Sequence, residues 1–127
     1  VRPLAGAAFL LIVSSAGWPA RAGAHAALVN SAPSARATLS AAPTKVTLTF
    51  NERLEAAYAR ISVWDAAGQQ VDLKDGALDG DTQKILAVSL PPLAPGNYTV
   101  RYRVLSVDGH VVEASFAFTV RPPARKP

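Results

Sequence analysis

Apolar and polar residues alternate one for one through several stretches between residues 46 and 120, and no long stretch repeats at the helical interval. In Val46-Thr47-Leu48-Thr49-Phe50, the valine, leucine and phenylalanine share one parity and the threonines the other. Tyr98-Thr99-Val100-Arg101-Tyr102-Arg103-Val104 repeats the pattern with its arginines outward, and Val112 to Val120 keeps its larger apolar residues on a single parity. Side chains on a strand point to opposite faces in turn, so this pattern specifies strands with one buried and one wetter face. Shorter strands are expected at Ala27–Asn30, Arg60–Trp64, Gln70–Leu73 and Ile85–Leu90. Turn chemistry separates them at Asp65-Ala66-Ala67-Gly68, Asp75-Gly76, Asp79-Gly80-Asp81, Pro91-Pro92 and Pro95-Gly96-Asn97. Helix is confined to a turn or two within Glu52–Ala59. About seven short strands in roughly a hundred residues predict an all-β, immunoglobulin-like β-sandwich.

The first 24 residues read differently. Arg2 precedes an apolar run from Leu4 to Val13, too short to span a bilayer, and Ala22-Gly23-Ala24 has the small-x-small form of a signal-peptidase site. The expected organisation is a cleaved signal peptide at 1–24, one β-sandwich domain at 25–120 and a basic, Pro-rich tail at 121–127. Ala24-His25-Ala26 is also a small-x-small site, so cleavage after Ala26 competes with cleavage after Ala24. Nothing after the leader resembles a transmembrane segment.

Composition narrows the chemistry. The chain has no cysteine and no methionine, which excludes disulfides, thiolate metal sites and any soft sulfur ligand. Of 13 basic residues, Arg2 and Arg21 belong to the leader and Arg121, Arg125 and Lys126 to the tail. The remaining 8 face 9 acidic residues, so the domain carries no basic footprint for nucleic acid. No GxSxG elbow surrounds a serine. Glu52, Glu55 and Asp108 lack a loop that would position a substrate, and Asp79–Asp81 lacks the oxygen spacing of a calcium loop.

The two histidines of the chain are the remaining signal. Cleavage after Ala24 would make His25 the first residue, whose α-amine and imidazole Nδ1 can close a ring on one ion. In an extended segment Asp108 and His110 fall on one side, offering a carboxylate and an imidazole. His25 begins the first strand and the Asp108–His110 run lies between two late strands; in a sandwich these places can share an end. An amine, two imidazoles and a carboxylate favour Cu(II) or Ni(II), with copper highest in the affinity order; zinc also accepts such donors. Asp108-Gly109 by itself also reads as a plain hairpin turn, and His110 as a strand-end histidine. Two rivals stand beside a metal carrier: a metal-free adhesive sandwich, and a copper-dependent oxidative enzyme. The second would need a flat aromatic face that Trp64 and three tyrosines do not supply.

The order of several short motifs resembles the CopC/PcoC copper-resistance proteins of the bacterial periplasm. They are His25-Ala26-Ala27-Leu28-Val29-Asn30-Ser31-Ala32-Pro33, Ala42-Pro43, Leu48-Thr49-Phe50-Asn51-Glu52, Leu93 to Val100, Ser106-Val107-Asp108-Gly109-His110 and Phe116 to Val120. The resemblance implies a cupredoxin-like or immunoglobulin-like sandwich that is not an enzyme, and it favours cleavage after Ala24. It implies Cu(II) ligation by His25, Asp108 and His110, with Glu52 supporting the terminal histidine from behind. Some relatives carry a methionine-rich Cu(I) site, which this chain cannot build. Others are fused to a transporter, so the resemblance implies a separate inner-membrane partner here.

Overall fold

The computed structural model describes residues 26–124. The leader, His25 and the last three residues of the basic tail lie outside them. Eight strands form in chain order: β1 (Leu28–Ala32), β2 (Thr38–Leu39), β3 (Lys45–Phe50), β4 (Arg60–Asp65), β5 (Ala77–Leu78), β6 (Ile85–Ser89), β7 (Gly96–Leu105) and β8 (Val111–Val120). One sheet runs β1-β3-β6-β5 and the other β2-β8-β7-β4. Every pairing is antiparallel except that of β2 with β8. The result is the expected all-β sandwich.

The alternation predicts which residues meet between the sheets. Val46, Leu48 and Phe50 of β3 and Leu86 and Val88 of β6 face Val63 of β4, Val100 and Val104 of β7 and Phe118 of β8, all buried. Burying such side chains contributes about 1.5–3 kcal/mol each. Phe50 meets Tyr102 across the layers edge to face at 5.6 Å, and Tyr98 stacks on its ladder partner Phe118 at 5.4 Å. Tyr98, near the start of β7, donates its hydroxyl to the carbonyl of Ala94, which fixes the corner between β6 and β7. The same bond closes a tyrosine corner in immunoglobulin-type sandwiches.

Glu52–Ala59 holds the short helical turn expected there, a 3-10 turn at Ala56–Tyr58. One expectation changes. Gln70–Leu73 is not a strand: Gln70 makes one isolated bridge to Trp64. The Val71 amide donates to Val63 of one sheet and the Leu73 amide to Ser89 of the other, so the segment crosses between layers. Asp72 lies buried at the crossing, where its carboxylate accepts from the backbone amides of Val63 and Lys74 at 2.8 and 2.9 Å. The Gln70 side chain supplies a third donor at 3.0 Å. A buried carboxylate is tolerated only with such partners.

β7 and β8 form the longest element, ten uninterrupted pairs from Gly96↔Val120 to Leu105↔Val111. The turn joining them, residues 106–110, carries Asp108 and His110.

Candidate metal centre

The 106–110 turn is closed by its own backbone. The Ser106 amide donates to the His110 carbonyl at 2.9 Å and the Gly109 amide to the Ser106 carbonyl at 2.9 Å. Gly109 sits at φ 94°, a left-handed conformation that side chains disfavour. Ser106, Asp108 and His110 share one parity, and their side chains converge. The buried Ser106 hydroxyl donates to Oδ1 of Asp108, and Nδ1 of His110 lies 3.1 Å from the same oxygen. The His110 amide also approaches Oδ1 at 3.3 Å. The Ser106 hydroxyl holds the Asp108 carboxyl below the usual carboxylate range; desolvation opposes it and the bond from His110 adds to it. Asp108 is therefore an anion at neutral pH, and it turns the His110 ring so that Nε2 faces away from it.

A short loop connects this turn to the start of the described chain. The Ala27 amide donates to Oδ1 of Asn51 at 2.7 Å, and the Asn51 amide returns to the Ala27 carbonyl at 3.0 Å. Two residues on, the Arg53 carbonyl accepts from Val107 at 3.1 Å, while Leu54 bridges Ser106 and the Glu55 amide donates to Leu105 at 2.8 Å. Leu54 is buried, and Arg53 is held by two bonds to the Gln83 side chain. Asn51 to Glu55 thus binds the first strand on one side and the 106–110 turn on the other. Ala26, the residue after His25, is itself buried.

Of the residues expected at the site, Asp108 and His110 touch. Glu52 is half-buried within the connecting loop, and His25 lies outside the described residues. Among the described residues no group of three His, Cys, Asp or Glu side chains converges, so the pair needs a further donor to hold an ion. Two positioning residues had no assigned role in the sequence: Ser106, which shares the parity of Asp108 and His110, and Asn51, which stood only within a family motif.

What fold and site define is a small β-sandwich with a nitrogen–oxygen donor pair at one end. The chain belongs to the CopC domain family, matching that domain over residues 28–121. It superposes on the crystal structure of CopC from Methylosinus trichosporium OB3b with a TM-score of 0.73 and 39% identity, covering 81% of this chain and 100% of that one. The corresponding values for PcoC, a methionine-rich copper resistance protein from Escherichia coli, are 0.67, 28%, 77% and 100%. Copper resistance protein C of Xanthomonas campestris pv. juglandis is 30% identical over 118 residues, covering 88% of this chain and 92% of that protein. Unlike a methionine-rich relative, this chain contains no methionine.

Proposed function

We propose that this chain is an exported Cu(II)-binding protein that buffers copper in the periplasm or delivers it, and that it turns over no substrate. Removal of residues 1–24 would free the His25 amine, and His25, Asp108 and His110 would hold the ion, with Glu52 supporting His25. The observation that carries the reading is the shared loop. Ala27 and Val107 hydrogen-bond to residues only two apart, so the residues following His25 and those preceding Asp108 are tethered to one stretch of backbone. The donor chemistry agrees: hard nitrogen and oxygen ligands suit Cu(II), while Cu(I) prefers sulfur that this chain lacks. Membership of a family with copper resistance proteins supports the metal itself. Asp108 would supply negative charge, and His110 a ring held in one orientation by that carboxylate.

Copper would then be cargo, passed on to a separate inner-membrane transporter. No helix among the described residues is long and apolar enough to cross a membrane. Titration of the exported protein with Cu(II) tests the reading. It expects one ion per chain, loss of binding in His25→Ala, strong weakening in His110→Ala and weakening in Asp108→Ala. Binding at full affinity by protein with a chemically blocked N-terminus would overturn it.

A further inference from the structure

The outer face of the β4-β7-β8 sheet carries a feature that the copper reading leaves unused. Arg60, Arg101 and Arg103 all project from it around an open groove of about 560 Å³, with Trp64 in its wall. Arg60 stands directly opposite Arg103 in the ladder, and like charges in that relation repel. One acid answers them within the groove, Glu113, opposite Arg103 at 3.9 Å. That pair is 58% and 75% exposed, where an ion pair is worth little.

The arginines are partly preorganised. Arg101 lies over the Trp64 ring at 5.1 Å, and the Trp64 indole is itself fixed by donating to the Ser62 hydroxyl at 2.8 Å. Arg60 is tethered through Nη1 to the carbonyls of Ala57 and Ala59 at 3.1 and 2.9 Å. A sheet face that holds unbalanced guanidinium groups against an aromatic ring is suited to a carboxylate-bearing partner, because the planar fork matches a carboxylate.

We propose that this groove docks an extended acidic segment of a partner protein, with Asp or Glu at alternate positions. Arg101 and Arg103 are two residues apart on one strand face, a repeat of roughly 6.6 Å, and alternate side chains of an extended peptide repeat at the same interval. A single small anion would gain little from arginines this open to solvent, whereas several carboxylates on one chain reinforce one another. Nucleic acid fits poorly, since the 8 basic residues of the domain face 9 acidic ones and no basic footprint extends beyond this groove. The site is separate from the metal turn and stands without the copper reading.

The test uses metal-free exported protein, labelled with 15N, and a synthetic peptide alternating glutamate and serine. Amide shifts should saturate and cluster on the outward positions of β4, β7 and β8, together with the Trp64 indole signal. The double variant R101E/R103E, shown folded by circular dichroism, should bind about tenfold more weakly or not at all. E113Q, which removes the competing acid, should bind about two- to threefold more tightly. Shifts spread over the Pro-rich tail with unchanged affinity in R101E/R103E would overturn the proposal, as would weaker binding by E113Q. So would binding to phosphatidylglycerol vesicles with none to the peptide.

Discussion

Nδ1 of His110 lies 3.1 Å from Oδ1 of Asp108, and the hydroxyl of Ser106, buried beneath both, donates to that same oxygen. The carboxylate is therefore oriented from below by the turn itself. Ser106→Ala should lower stability, because a partly buried bond to a charged acceptor is lost. It should also weaken Cu(II) binding severalfold without changing the stoichiometry. Urea unfolding and copper titration on one preparation check both; unchanged copper affinity would show that the turn orients Asp108 unaided.

Asn51 offers a second route to the same site. Its side chain accepts from Ala27, and its backbone returns the bond. Asn51→Ala should cost about 1 kcal/mol of stability. It should also lower copper affinity while the amide signals of residues 106–110 stay in place, since only the N-terminal half of the proposed site is loosened. Asn51→Asp keeps the acceptor oxygen and should retain most of the affinity.

Acid stability has a local contribution at Asp75. The Ser89 hydroxyl, with the Ser89 amide at 2.7 Å, holds the Asp75 carboxyl below its ordinary value. A group with a depressed folded-state pKa stabilises the fold above its unfolded pKa, and the gain vanishes as pH falls through the folded value. The Asp75→Asn variant should therefore lose less stability than the parent between neutral pH and the region below about pH 4. Chemical denaturation at a series of pH values reads this directly.

Gly76 is fixed by space. A Cβ at that position would stand 2.7 Å from the Cγ2 methyl of Ile61, a β-branched side chain on β4 with little freedom to turn away. Gly76→Ala should destabilise by about 1–3 kcal/mol. Combined with Ile61→Ala the two costs should be less than additive, because the second change removes the methyl that the first collides with. Full additivity would place the strain elsewhere.

The long strands were legible because alternation is a direct image of the pleat. Thr47 and Thr49 lie outward of Val46, Leu48 and Phe50 as the pattern requires, and Arg101 and Arg103 lie outward of Tyr102. The two-residue strands β2 and β5 escaped, since two residues cannot display a period. At Gln70–Leu73 the alternation misled: the inward position of Asp72 serves three N–H donors rather than a ladder, and only the folded chain shows them together. At the 106–110 turn, the spacing of Asp108 and His110 put both on one side, where the two side chains meet. The loop that ties Ala27 and Val107 together was invisible, because backbone bonds between residues so far apart leave no mark on composition or spacing.

The ten unbroken pairs of β7 and β8 end in five residues that carry the candidate donors. Chemistry and framework are thereby separated along one hairpin: the ladder sets where the tip stands, and the tip sets which side chains it offers there. Replacing 106–110 with another turn of equal length would recast the ligand set on an untouched scaffold, which makes this hairpin a natural place to graft a different metal preference.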